Sequence, residues 1–285
     1  MDLSSKIEKG LIKASTSYPE NRINAFKRAL SQETSENAAW ALELMLKNAE
    51  IANKQKLPLC DDTGIPHIFI ELGENTSISS DLLDEIKKGI ENGLKNLPGR
   101  PMAVKGDDLE RIEQSKGLYG ESDMVIPPSF IIEKSDNEDL YGKIKINLLL
   151  LGGGPEIRAK TYRVFHKRDY KEVLNVAVDI LKSNLNLLGC TPSIPAIGIG
   201  RTHYEANSLM IKSMVYGNLD YQSETENYIT KKLNKTNIGP MGLGGNTTLL
   251  GSFVNIGPQR ASGVRILAIR PCCFVEPRLD TIFIE

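Results

Sequence analysis

Cysteine and histidine are scarce in this chain, with four Cys and three His in 285 residues. The histidines stand far apart, at 67, 166 and 203, which nearly excludes a His-rich zinc site. Cys60, Cys190, Cys272 and Cys273 contain no Cys-x-x-Cys and have no nearby His, so they fit no zinc spacing. Thiols spread so widely in a reducing compartment are not a disulfide framework. No apolar run is long enough to cross a bilayer, and the opening Met-Asp-Leu-Ser-Ser-Lys has no apolar signal core. The expected location is therefore cytoplasmic, with no membrane partner. A net charge of −1 gives no support for nucleic-acid binding. Gly-x-Gly-x-x-Gly is absent, which rules out a dinucleotide fingerprint. The glycine-rich Asn237–Thr248 lacks the Lys that must reach phosphates, which rules out an ATPase loop. There is no repeat, no low-complexity stretch and no clear linker.

What is present is ordinary for a soluble globular protein: 40% hydrophobic and 25% charged residues, in a chain long enough to bury a full core. The expectation is one domain over 1–285, divisible into two subdomains near residue 135. Residues 1–55 read as helical throughout, with Ile7, Leu11 and Ile12 in one stripe. Ala41, Leu42, Met45, Leu46, Ala49 and Ala52 form a longer stripe, and Trp40 is assigned to the core. Ile68, Ile70 and Leu72 alternate with His67, Phe69 and Glu71, which predicts a half-buried strand with His67 on its polar face. Ser80 is expected to cap a helix carrying Leu83, Ile86, Ile90, Leu94 and Leu97, broken by Gly99-Arg100-Pro101. Residues 105–123 read as a long loop.

Strands are expected at Ser129–Glu133 and Gly142–Leu151, then a helix over Tyr170–Leu188 and a buried strand over Ile194–Ile199. Helices starting at Thr202 and covering Glu224–Leu233 precede strands at Leu249–Ile256 and Val264–Ile269. The fold class is mixed α/β (α+β), a helical N-terminal region followed by strands and helices.

One short stretch concentrates reactive groups. Cys60-Asp61-Asp62-Thr63-Gly64 packs a thiol, two carboxylates and a glycine between a helical segment and a strand. Adjacent acids beside a Cys repel one another and gain nothing from burial unless a cation or hydrogen-bond donors are near. Taken alone, the triplet is better explained as a solvated turn with Cys60 a small buried hydrophobe. Elsewhere, Gly152-Gly153-Gly154 follows four leucines, where glycine permits close backbone approach or positive φ, or merely a permissive turn. Cys190 follows a helix stop at Gly189, and Arg100 is conformationally restricted before Pro101, although a surface Arg at a helix end is common.

The motifs taken together are specific. Leu57-Pro-Leu-Cys-Asp-Asp-Thr-Gly-Ile-Pro66 resembles the Cys-Gln-Asp-Thr-Gly segment of class I (iron–sulfur) fumarases and L-tartrate dehydratases. Gly152-Gly-Gly-Pro-Glu156 is similar to their Gly-Gly-Gly-Ser-Glu, and Cys190-Thr-Pro to their Cys-Pro-Pro. Ile197-Gly-Ile-Gly-Arg-Thr202 resembles their Gly-Ile-Gly-Gly-Thr, and Asn237–Thr248 their Ile-Gly-Pro-x-Gly-Leu-Gly-Gly-x-Thr-Thr. Cys273-Phe274 stands where they have Cys-Trp, and the motifs occur in family order between positions 57 and 274.

The resemblance implies a [4Fe–4S] cluster held by Cys60, Cys190 and Cys273, with Cys272 as the alternative third ligand, in a buried iron–sulfur site. Three thiolates on four irons leave one iron able to bind a substrate hydroxyl and carboxylate. By the same mapping Asp61 and Asp62 lie beside the open iron as catalytic residues. Arg100 grips a substrate carboxylate, and the Gly153–Gly154 backbone lines the pocket. The implied activity is hydration or dehydration of a small hydroxy-dicarboxylic acid, fumarate/malate or tartrate, by an α subunit. Its β subunit completes the active site in a hetero-oligomer. Against the family pattern, Asp61 replaces a Gln, Gln259 and Arg260 fall where a His is carried, Arg201 replaces a Gly, and Asn246 often stands as Lys. Two alternatives use the same residues: a non-catalytic iron–sulfur binding or sensing protein, and a plain globular scaffold with incidental thiols.

Overall fold

The structure, a computed structural model, describes residues 2–97 and 99–285. In chain order the elements are α1 (Leu3–Thr16), α2 (Glu20–Gln32), α3 (Glu36–Gln55), β1 (Ile65–Leu72), α4 (Ser80–Asn96) and α5 (Asp108–Glu113). They continue with β2 (Ser129–Lys134), β3 (Ile144–Leu151), α6 (Gly153–Glu156), β4 (Lys160–Phe165), α7 (Tyr170–Leu188) and β5 (Ala196–Gly200). The last are α8 (His203–Tyr216), α9 (Glu224–Asn234), β6 (Phe253–Ile256), β7 (Val264–Arg270) and β8 (Arg278–Ile284). This is a mixed α/β fold, as expected. Two compact units share it: residues 1–17, 49–152 and 278–285 form one, and residues 18–48 and 153–277 the other. Among the described residues no helix is long and apolar enough to cross a membrane.

The first unit is built on a four-stranded mixed sheet of order β2-β1-β3-β8, in which only the β1–β2 pair is parallel. Side chains alternate across a pleated strand. Ile68 and Ile70 of β1, Ile146, Leu148 and Leu150 of β3, and Ile282 of β8 thus face Ile7 and Leu11 of α1 and Ile86, Ile90 and Leu94 of α4. The strand expected to be half-buried is covered on both faces, because Phe69 and Glu71 are buried as well. Glu71 survives burial by taking Lys145 Nζ at 2.8 Å and Asn147 Nδ2 at 3.0 Å. The α4 cap is Ser79, one residue before the expected Ser80, with its hydroxyl accepting from Leu82 N at 3.1 Å. The expected loop at 105–123 contains α5, started by a reciprocal capping pair of Asp107 and Glu110.

The second unit holds a four-stranded sheet of order β4-β7-β5-β6, with β5 and β6 parallel and the other pairs antiparallel. One face, with Val164, Ile197, Ile199, Leu267 and Ile269, packs on Leu174, Leu181 and Leu185 of α7 and Ile229 and Leu233 of α9. The other face presents Gly198 opposite Ala268, and α8 lies close against it. A Cβ on Gly198 would strike the main-chain O of Ala206 and N of Met210. The α7 boundaries match the sequence reading, with Asp169 capping its start and Gly189 ending it at φ 74°. Strands β4 and β8 were not anticipated. Trp40, assigned to the core, is 59% exposed. Helical spacing located the buried stripe of α3, but Trp40 lies one position off it, beside Ala41 and Leu44.

Gly198→Ala should lower stability by about 1–3 kcal/mol, because the added methyl meets backbone that cannot rotate aside. Denaturant unfolding monitored by circular dichroism would measure it, and an unchanged midpoint would contradict the close packing of α8 on β5.

Candidate active site

In the first unit, α3 ends at Gln55 and the chain turns through Cys60-Asp61-Asp62 into β1. The turn is pinned on both sides. Leu59 N donates to Ser15 O at 2.9 Å, and buried Arg278 donates through Nη1 to Asp62 O at 2.5 Å. Gly64 N donates to Asp62 Oδ1 at 3.1 Å, and Gly64 adopts φ 82°, where a side chain would also collide with the Arg278 guanidinium. Thr63, buried, donates its hydroxyl to Arg100 O at 3.1 Å. Arg100 is thereby brought to the Cys60 turn, and its Nη1 stands 3.7 Å from Asp61 Oδ2. Both side chains are more than half exposed, so this ion pair contributes little to stability. Cys60 is half-buried, with Sγ 3.5 Å from Asp61 Oδ1. Burial pushes its thiol pKa up, while the Asp62 backbone and the Arg278 charge pull it back.

In the second unit, Cys190 follows the α7 terminator and is exposed. Its carbonyl accepts from Phe274 N at 3.2 Å, which sets the Cys190 turn against the Cys272-Cys273-Phe274 turn. The next residues complete the join: Ser193 Oγ and Ile194 N donate to Cys272 O at 2.5 and 3.2 Å. The glycine-rich Asn237–Thr248 stretch packs around the same turn. Thr191 Oγ1 donates to Gly239 O at 2.6 Å, and its carbonyl accepts from Met241 N at 2.9 Å. Thr248 O accepts from Ser193 N at 2.8 Å. The phosphate-loop look of this stretch thus has a structural account, as a cradle for the Cys190 segment.

The vicinal cysteines differ sharply. Cys273 is partly accessible, whereas Cys272 is fully buried with Sγ 3.7 Å from Met214 Sδ. Burial pushes the Cys272 thiol well above its ordinary range, with the Glu276 charge adding to the effect. Arg270 and Glu276, both 1% exposed, bracket this turn with contacts at 3.0 and 3.1 Å from Nε and Nη2. Burial opposes the charge on Arg270, and the Glu276 carboxylate overrides it, so the guanidinium stays protonated well above its usual range. Arg22 of α2 reaches in from the side, donating to Val275 O and Pro277 O at 2.5 and 2.6 Å. The supporting residues Thr63, Arg278, Arg270, Glu276 and Arg22 were not picked out from sequence. Arg270, a charge ending an apolar strand before proline, was the one with a visible signal.

Gly153 and Gly154 open the single turn of α6 and are exposed. Neither has positive φ, and a Cβ on Gly154 would meet nothing within 4 Å. The residues that depart from the family pattern have local partners. Asn246 Nδ2 donates to Gln32 O and Thr34 Oγ1, Gln259 Nε2 to Ile199 O, and Arg201 forks onto Glu205.

Among the described residues no group of three or more His, Cys, Asp or Glu side chains is gathered for a metal ion. Cys60 belongs to the first unit, Cys190 and Cys273 to the second. The donor chemistry of Cys60, Cys190 and Cys273 fits a thiolate-bound cluster, since each lies on an irregular turn with its side chain at least partly accessible. Cys272, wholly enclosed, does not fit.

Known proteins resemble this chain along most of its length. A protein of Methanocaldococcus jannaschii provisionally named L(+)-tartrate dehydratase subunit alpha is 28% identical over 263 residues, 90% of this chain and 89% of its own. The L(+)-tartrate dehydratase subunit alpha of Escherichia coli K12 is 23% identical over 272 residues, covering 93% of this chain and 85% of that protein. The protein of the same name from Shigella boydii serotype 4 has the same identity and coverage. The sequence model of the family described as fumarate hydratase (Fumerase) matches residues 4–281, and the chain belongs to that family.

Proposed function

We propose that this chain is the α subunit of a hydro-lyase that adds or removes water across a small hydroxy-dicarboxylic acid such as malate or tartrate. The observation that carries the reading is the Phe274 N to Cys190 O hydrogen bond, which sets two thiol-bearing turns side by side while Cys272 is turned into the core. Family membership and the names of the relatives support the same class. Cys60, Cys190 and Cys273 would hold a [4Fe–4S] cluster. Bound there with only three protein thiolates, it supplies an iron open to a substrate hydroxyl and carboxylate as a Lewis acid.

The rest falls to the chain's own side chains. Arg100 binds a substrate carboxylate with its planar fork, displacing the weak contact to Asp61. Asp61 and Asp62 accept or orient protons at the hydroxyl end, and the backbone of Gly153–Gly154 lines the pocket. Removal of the C–H proton needs a base. That base is assigned to a β subunit, which the word alpha in the relatives' names supports. Asp61 is the one carboxylate here that could serve without it. A second reading, a non-catalytic iron–sulfur binding or sensing protein, is favoured by one observation: Asp61 places an anion against Arg100, where it competes with a substrate carboxylate.

Anaerobic reconstitution tests the ligand set. Cys60→Ala, Cys190→Ala and Cys273→Ala should each lose the broad visible absorption of a [4Fe–4S] cluster, and Cys272→Ala should keep it. A full cluster in Cys273→Ala with loss in Cys272→Ala would reverse the assignment.

An iron open to substrate is open to oxidants, so air should abolish activity faster than it unfolds the chain, and anaerobic iron with reductant should restore it. Activity that persists through prolonged aerobic handling would argue against a catalytic cluster.

Arg100→Lys keeps the charge but loses the fork, and should cost roughly tenfold or more in kcat/KM with the cluster spectrum intact, given the worth of one charged hydrogen bond. Assays against malate, fumarate and tartrate with and without a β subunit complete the test. Turnover by the isolated chain sinks the split site, and no turnover with partner and full cluster favours the sensing protein.

A further inference from the structure

Two buried guanidiniums, Arg22 and Arg270, and the buried carboxylate of Glu276 flank the Cys272–Cys273 turn. Arg270 is 1% exposed, and Glu276, equally buried, is engaged by two of its guanidinium nitrogens. A second carboxylate is drawn to the remaining edge: Arg270 Nη1 also pairs with Glu156, whose side chain is 65% exposed. Glu156 could satisfy itself in water, so this contact is not a forced consequence of its own burial. What it does is geometric. Glu156 sits two residues beyond Gly154, on the single turn of α6, while Arg270 ends β7 immediately before the cysteine-bearing turn. Glu276 fixes the far side of that turn, and its N–H donates to Cys273 O at 3.1 Å. A planar fork of five donors can hold two carboxylates in one fixed arrangement, which a lysine ammonium cannot do.

We propose that Arg270 is a positioning residue that locks the Gly153–Gly154 segment to the Cys273 turn, holding Glu156 with one edge of its guanidinium and Glu276 with the other. The lock rests on the functional reading above only in its purpose, which is to keep substrate-lining backbone in register with a cluster ligand. The motif Gly-Gly-Gly-Pro-Glu then has a reason to end in Glu156: the glycines leave the site open and the acid fastens them to it.

The test compares wild type, Glu156→Gln and Arg270→Lys in two arms. In the cluster-free chain, hydrogen exchange read by mass spectrometry follows the peptide over 152–158, with 196–200 in β5 as reference. Glu156→Gln should leave the melting temperature unchanged while exchange at 152–158 rises about tenfold and the reference stays put, as expected for loss of one charged contact. In the anaerobically loaded chain, iron content of Glu156→Gln should equal wild type. Once dithionite has reduced the cluster by one electron to its paramagnetic form, the malate concentration that half-shifts its signal should rise about tenfold. A merely structural contact would lower melting temperature or iron content without moving that titration separately. Arg270→Lys should shift both readouts at least as far, and if it fails to fold, Glu156→Gln decides alone. Unchanged exchange at 152–158, or an unshifted malate titration with a full cluster, overturns the proposal. A wild-type chain that takes up no cluster sinks the functional reading instead, and the exchange arm then decides the lock by itself.

Discussion

Irregular backbone must find hydrogen-bond partners that no helix or strand supplies, and in the second unit that requirement organises the thiol-bearing turns. The Cys190–Ile194 segment, the Cys272–Phe274 turn and the Gly239–Thr248 loop lie outside the α-helices and the two sheets, with one short 3-10 turn at Pro240–Gly242. The Cys190–Ile194 segment is bonded to both of the others: Phe274 on Cys190, Ser193 and Ile194 on Cys272, Thr191 on Gly239 and Met241. The thiol positions are thus set by mutual satisfaction of main-chain groups rather than by burial of the sulfurs, which leaves Cys190 and Cys273 accessible while Cys272 serves as core.

Much of the fold could be read because its signals are local. The α7 stripe, its Asp169 cap and its Gly189 stop are all within one stretch of chain. The misses have nonlocal causes. Residues 160–165 carry Lys, Arg and Thr and look unlike a strand until β7 pairs along them. Residues 278–284 end in apolar alternation too short to stand out, and their place is fixed only by β3. Trp40 was assigned by residue type, and residue type says little about which side of a helix faces in.

At the candidate site the residues proposed for chemistry were named from the sequence, and the residues that support their turns were not. Cys60-Asp61-Asp62 alone reads as a solvated turn, and only the motifs taken in order single it out together with Cys190 and Cys273. Arg278 holds the Cys60 turn from more than two hundred positions away, and Arg22 holds the Cys273 turn from about as far. Long-range contacts of single side chains leave no periodicity behind them. Nor does the sequence show that Cys272 is the one of the vicinal pair buried against Met214.

The first unit is discontinuous, and its strand β8 is separated from β3 by the whole of residues 153–277. On the ribosome, that strand and its leading Arg278 emerge only after residues 1–277 have been made. Until then β3 has an unpaired edge and the Asp62 carbonyl lacks its guanidinium. The second unit, complete at residue 277, can close first. The Cys60 turn therefore gains its guanidinium contact only after the second unit has been made, although its own residues precede most of that unit in the chain.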